Sequence, residues 1–431
     1  MSTQYLPGAH KRGSFLRYDT AVMLKRFYLV ERQLVISQAG WIPGLPSFEA
    51  KTLSPHMLWQ DAQNANSLRE RVFELRFPNR MLEVGDDQVL IDLVRHSCAA
   101  PNGYAFLTAM ATVWKPALLA AYREYLDLAD EIGDGPTYRF LQLAAREKEE
   151  QIGLLKQLIP TCEEADEAGK RLAEAWLADL AMKFQEAGGL SLDRPVPVQL
   201  AADAAFSPAE VPRRGGAFQH VRFYWPDIVD DAFPYGEGLQ LQMRSAVSHF
   251  NEVWAVENAG FLIHALAEQL EWEFIVDASR WIYDESRHCR MGYDRLKSWG
   301  FEDHELPLGT YIYDSCRGQD LLYRLGMLFH FESKNIGKKI ERIKSFGQMN
   351  DRLSQHDMDF DWADETIHTS YGTKWLAKLL EHRKQETSTS DFFDIKRVCE
   401  QLVDKQVQTA TEAEIVAIKR IAGHMLSKVS G

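Results

Sequence analysis

Asp284-Glu285-Ser286-Arg287-His288 and Asp364-Glu365-Thr366-Ile367-His368 are two copies of one pattern, an acidic pair with a histidine three positions after its glutamate. On an α-helix, residues three apart project from nearly the same side. Glu285 with His288, and Glu365 with His368, can therefore each aim one carboxylate oxygen and one imidazole nitrogen at a common point. A further glutamate stands upstream of each pair at an identical interval, Glu252 before Glu285 and Glu332 before Glu365. Six such side chains on four helices make a cage for two metal ions. A lone Glu-x-x-His arises by chance on ordinary helices; the repeated motif with a repeated interval does not read that way. The competing reading is a bundle whose acids form internal ion pairs or face solvent.

Helical periodicity surrounds the motifs. It predicts long helices over 240–268, 273–297, 317–345 and 351–383, with short first and last connections and a long crossover between the second and third. Glu332 interrupts the apolar run that begins at Leu325, where an unpaired charge would be costly. The first-helix ligand stays open between two residues. Glu252 has the matching interval, whereas Glu257 is the conspicuous acid on an apolar face with Val247, Phe250, Trp254 and Phe261.

Two glutamates plus two Glu-x-x-His pairs form the ligand pattern of dinuclear carboxylate bundles. Over about residues 240–383 the chain resembles the ferritin-like di-iron carboxylate superfamily, and its two DExxH motifs resemble the oxygen-activating members more than the iron-storage cages. The resemblance implies that Asp284 orients His368 and that Asp364 orients His288, each aspartate holding the histidine of the opposite half-site. It also implies interest in Tyr283 and Tyr371, phenols close in sequence to the half-sites and candidates for oxidation by a high-valent centre. Carboxylate and imidazole donors suit iron or manganese. The expected cofactor is thus two iron ions, with manganese–iron and dimanganese pairs as alternatives, and dioxygen as cosubstrate.

The first half is also helical, with expected helices at 19–38, 56–77, 103–131, 136–158 and 162–187. Glu31 precedes Asp61, and Lys115 precedes Glu147, by slightly less than the interval that separates Glu252 from Glu285. Asp61 is followed at its third position by Asn64, and Glu147 by Glu150, where a histidine would stand. Residues 1–187 thus read as a helical domain, a candidate degenerate duplicate in which a buried lysine ammonium could replace a metal charge. Residues 188–239, rich in Pro and Gly, read as a linker or as an arm laid over the catalytic bundle. Phe218, Phe223, Tyr224 and Trp225 favour partial burial over a free tether. Residues 240–383 are the dimetal bundle, and 384–431 a helical C-terminal support. The fold class expected is all-α.

The net charge of −13, without a long basic block, argues against nucleic acid as a partner. Five scattered cysteines without a CxxC pair fit a reducing compartment. No signal-peptide core and no run approaching ~18 uncharged apolar residues stand out, so the expectation is a cytoplasmic protein without a membrane span. No Gly-rich phosphate loop supports an internal nicotinamide domain, so reducing equivalents would come from a separate reductase or electron carrier. The function expected is an oxygen-dependent di-iron oxidase or monooxygenase acting on a small organic substrate. A metal-storage or metal-stabilised binding protein and a non-redox two-metal hydrolase are the alternatives. A homo-oligomer is compatible with the pattern.

Overall fold

The computed structural model describes residues 10–13, 15–162, 167–200, 206–383 and 389–430. Apart from two three-residue strands, the regular structure among these residues is helical, and the chain is all-α. It divides into two compact units, Met1–Trp41 with His56–Ser207, and Ile42–Pro55 with Pro208–Gly431. The expected boundaries need correction in two places. Residues 208–239 belong to the second unit, and so do 42–55.

In the first unit, α1 (Arg17–Trp41) and α2 (Phe48–Arg76, its first turns counted in the second unit) come first. α2 starts well before the expected residue 56 because Ser47 caps it, its hydroxyl accepting from Ala50 N at 3.2 Å. Pro55 lies inside the helix rather than at its start. Next come α3 (Gln88–Cys98) and α4 (Gly103–Ala109), which a π turn at Met110–Trp114 joins to α5 (Lys115–Leu128). That turn shifts the helical register by one residue, roughly 100°. α6 (Gly135–Leu158) and α7 (Glu167–Glu186) complete the unit; residues 163–166 of the expected 162–187 helix lie outside the described residues. The stretch Gly103–Leu128 is long and apolar enough to cross a membrane, yet 67% of its most apolar window is buried in the protein, as in a core helix.

In the second unit, α8 (Gly238–Phe250) and α9 (Val253–Leu266) replace the single expected first helix. The break is built by Asn251. Its amide donates to the carbonyls of Val247 (2.8 Å) and Pro307 (3.0 Å), and its Oδ1 accepts from Gly309 N (2.6 Å). A short polar side chain here competes with the helical ladder. It also ties the break to a strand pair, β1 (Gln219–Val221) and β2 (Pro307–Gly309). Glu252 therefore sits at the start of α9, on a fixed kink rather than mid-helix.

α10 (Trp272–Ser298) packs on α8 and α9; the crossover that follows contains β2 and α11 (Tyr311–Cys316). α12 (Leu321–Gln348) and α13 (Arg352–His382) form a hairpin, and both pack around the others. Its turn uses Asn350 in the left-handed region (φ 57°), which asparagine tolerates, and Asp351, which accepts from Ser354 N at 3.0 Å. α14 (Thr389–Gln408) packs on α11 and α12, and α15 (Glu412–Ser430) on α8.

Gly292 sets the approach of α10 to α8. A Cβ there would stand 2.5 Å from Ala246 O and closer still to Phe250 N, both backbone atoms that cannot swing away. Gly292→Ala is expected to destabilise the second unit by about 3 kcal/mol, because a helix rather than a side chain must move. A midpoint within 0.3 M of wild type in urea denaturation, on the order of a 0.5 kcal/mol change for typical slopes, would contradict this close packing.

Candidate metal centre

Four elements converge. α10 contributes Glu285 and His288, α13 contributes Glu365 and His368, α12 contributes Glu332, and the α8/α9 kink contributes Glu252. Their ligand atoms form one group of Glu285, Glu332, Glu365 and His368 and an adjoining group of Glu252, Glu285 and His288, and a third group joins His288 and Glu365 to Asp361, with the atoms of each within 4.8 Å of one another. His368 Nδ1 lies 3.2 Å from Glu285 Oε1 and 3.7 Å from Glu332 Oε2. His288 Nδ1 lies 3.3 Å from Glu252 Oε2 and 4.0 Å from Glu285 Oε2.

The far nitrogens of both imidazoles fix their orientation. His368 Nε2 is 3.3 Å from Asp284 Oδ2, and His288 Nε2 is 3.2 Å from Asp364 Oδ2, the crossed arrangement that the resemblance implied. An Nε2–H donated to a carboxylate turns each Nδ1 inward, and in the neutral imidazole that nitrogen carries the lone pair. The aspartates are held in turn. Arg287 bridges them, at 2.5 Å to Asp284 Oδ1 and 2.6 Å to Asp364 Oδ2, and Arg280 donates to both oxygens of Asp284 at 2.8 and 2.7 Å. Burial opposes ionisation of Asp284, but His368 and then these two guanidiniums outweigh it and keep the carboxyl far below the usual range.

Inside the cage, Glu252 Oε2, Glu285 Oε1 and the Nδ1 atoms of His288 and His368 are buried without a hydrogen-bond partner. Buried polar atoms are normally paired, so four orphans facing one another call for a shared partner. Burial, followed by the charge of Glu332, pushes the Glu285 carboxyl up to about 8, which marks a place short of positive charge. Two divalent ions would balance Glu252, Glu285, Glu332 and Glu365 and satisfy all four orphans. These residues fit a two-metal group, and they are hard donors with imidazole, as iron or manganese requires.

Glu257 requires a correction. It is wholly buried five residues past Glu252, where Lys51 Nζ (2.7 Å) and Arg214 Nη2 (2.8 Å) neutralise it. It stands outside the ligand groups. The two tyrosines also differ. Tyr371 stacks on His368 with ring centroids 6.4 Å apart, whereas Tyr283 lies against Arg287, its ring centroid 5.4 Å from the guanidinium carbon. Two residues from Glu285 on a helix is a turn of about 200°, which points Tyr283 away from the ligand face. Trp281 stacks on His368 (5.4 Å) and donates Nε1–H to Glu332 Oε1 (3.1 Å), closing the cage. Trp375 instead donates to Asp277 and meets the edge of Phe274.

Three residues around the cage do not stand out as site residues in the sequence: Asp361, Lys339 and Arg280. Lys339, nearly buried, holds both oxygens of Asp361 at 2.6 Å and Glu365 Oε1 at 3.2 Å. Asp361 also meets His249 Nε2 (3.1 Å) and lies on the Nε2 side of His288 (3.7 Å), so it serves as a charge partner behind the imidazole. Helical spacing carried the signal, Asp361 four before Glu365 and Lys339 seven after Glu332, but such positions are commonplace on amphipathic helices.

A cavity of about 450 Å³ opens onto Glu252, Glu285, Glu332 and Glu365. Trp254, Phe331, Ile312 and Met358 give it apolar walls, and Val403 and Val407 show that α14 lines it as well as supporting the unit. Tyr224, Ile228 and Tyr235 line it too, so the C-terminal part of the Pro/Gly-rich segment is a wall of the pocket. Residues 188–200 belong to the other unit, and 201–205 lie outside the described residues.

No curated protein and no solved structure matches the chain. A family model described as protein of unknown function (DUF455) matches residues 207–425, just over half of the sequence. The match starts where the second unit resumes and spans every residue of the cage. The chain belongs to the DUF455 family.

Proposed function

We propose that the second unit is a ferritin-like dinuclear iron or manganese oxidoreductase that uses dioxygen to oxidise a small organic substrate. The observation that carries this reading is the pair of inward Nδ1 atoms, each fixed from behind by an aspartate of the opposite half-site, beside Glu252 and Glu285, each of which keeps a buried oxygen without a hydrogen-bond partner. When bound, two redox-active ions supply the electrons and open positions needed to reduce dioxygen.

The chain's own residues do the rest. Arg280 and Arg287 lock Asp284 and Asp364, and these lock the imidazoles, so the donor set is preorganised before any ion arrives. Trp281 orients Glu332 and shields His368 from water. Lys339 stabilises the negative charge of Glu365. The cavity mixes the cage carboxylates and the charged Lys334, Lys338, Arg342 and Asp404 with apolar and aromatic groups such as Trp254, Phe331 and Met358, and so suits a small polar or amphipathic molecule. Its electron donor would be a separate protein or the substrate.

Anaerobic loading with ferrous iron followed by oxygen exposure tests the reading. The expected result is two irons retained per chain and oxygen uptake in proportion to them. Two ions retained without oxygen uptake would favour hydrolytic chemistry. Uptake with many irons accumulating per chain would favour storage.

A further inference from the structure

The two metal positions are not built alike. One is bounded by Glu285, Glu332, Glu365 and His368, all buried, with four donors in reach of one point. The other has Glu252, Glu285 and His288. Its Glu252 side chain is 21% exposed, whereas those of Glu285, Glu332 and Glu365 lie between 2% and 7%, and Glu252 faces the cavity. In a symmetric cage Glu365 would complete the second position as Glu285 completes the first. Here Glu365 meets His288 only in a group that includes Asp361, on the Nε2 side of the imidazole, and Lys339 stands in that group: its ammonium sits 3.2 Å from Glu365 Oε1 and is anchored on Asp361, which His249 holds from the other side. A cation already occupies one oxygen of the carboxylate that both ions would share, and it repels an ion placed beside it.

We infer that Lys339 makes the centre asymmetric. The position at Glu332 and His368 fills first and tightly. The position at Glu252 and His288 fills later and exchanges readily, through the cavity that Glu252 lines. This rests on the two-metal reading of the cage and adds the residue that sets its asymmetry. Lys339 is a positioning residue, acting through Glu365.

Titration with Mn(II) alone tests it, with free ion counted by its magnetic resonance signal and heats measured by calorimetry. Wild type is expected to bind two ions with dissociation constants at least tenfold apart. Glu332→Gln should weaken the tighter step and Glu252→Gln the weaker one. Lys339→Met should narrow the gap at least tenfold by strengthening the weaker step, and Lys339→Arg should preserve it, with helical circular dichroism confirming the fold of each. Two equal steps in wild type, or a gap unchanged in a folded Lys339→Met, overturns the inference while leaving the two-metal reading intact. If Lys339→Met does not fold, the Glu252→Gln and Glu332→Gln titrations decide: loss of the same step in both overturns it. Absence of bound ion in wild type overturns the two-metal reading itself.

Discussion

Alanine at both His288 and His368 is expected to abolish metal retention while the protein stays folded. Each imidazole supplies the single nitrogen of its half-site, and nothing else nearby among the described residues offers one in that direction. Loss of an outer partner alone typically costs 10–100-fold in metal affinity, so removal of both inner donors should cost more than about 100-fold. The fold survives because the scaffold behind the histidines is independently tied. Asp284 and Asp364 keep Arg280 and Arg287 as partners, so neither aspartate is left as an unpaired buried charge. The stability cost is then roughly 1–3 kcal/mol, mostly from the space left beside Trp281. Metal analysis after dialysis with Mn(II) or Fe(II), read beside circular dichroism, checks both halves. Full occupancy in a folded double variant would sink the assignment.

The cage is legible in the sequence because a local rule produces it. Helical spacing puts Glu and His together, and the equal upstream interval picks out Glu252 and Glu332. What the sequence does not reveal depends on contacts between distant segments. Glu257 looks like a ligand because an acid on an apolar face needs compensation, which comes from Lys51 and Arg214, 206 and 43 residues away. The kink at Glu252 is likewise set by Asn251 reaching a strand 56 residues further on. Lys339 follows Lys338 in a charged stretch of α12 that reads as a solvated face, and only the fold turns it inward against Asp361. The inclusion of residues 42–55 in the second unit has the same origin, since Phe48 packs with Phe218, Phe250 and Tyr293.

In the first unit the sequence reading is right about Lys115 and off by one residue on α6. The inward residue is Lys148; Glu147 is half-buried and Glu150 exposed. A glutamate followed three residues later by another acid looks like the counterpart of Glu-x-x-His, but that face of α6 turns outward. The π turn before Lys115 adds a register shift that simple interval counting cannot include. The result is a cluster in which Lys115 and Lys148 both pair with Asp61, Lys148 also reaches Glu31 at 2.7 Å, and Asn64 and Tyr122 donate to Glu31 at 2.7 and 2.5 Å. Two ammonium groups neutralise two carboxylates where the other unit gathers four carboxylates and two imidazoles.

Asp61→Ala is therefore expected to be the most damaging single substitution in the first unit. Asp61 is fully buried, and although burial opposes its charge, Lys115 and Lys148 hold its carboxyl far below the usual range. Without it, of Lys115 and Lys148, exposed by 0% and 1%, Lys148 keeps Glu31 and Lys115 loses its one ion-pair partner among the described residues. Breaking a buried pair by deleting one partner costs roughly 3–5 kcal/mol, because the stranded charge has no water to turn to. A double variant, Asp61→Leu with Lys115→Met, removes a matched pair of charges and leaves Lys148 with Glu31. Apolar replacement of a whole buried pair is often neutral, so the double variant should recover at least about 2 kcal/mol of the single variant's loss. Denaturant unfolding of the full chain, followed by probes in each unit because a two-unit chain need not unfold in one step, measures both. A single-variant loss under about 1 kcal/mol would mean that water reaches the ammonium groups. Equal losses in single and double variants would mean that shape, not charge, makes Asp61 matter. Manganese binding by the second unit should be unchanged in either variant, since no metal donor of its cage is altered; ions lost in step with Asp61 would place a metal where the ammonium groups now sit.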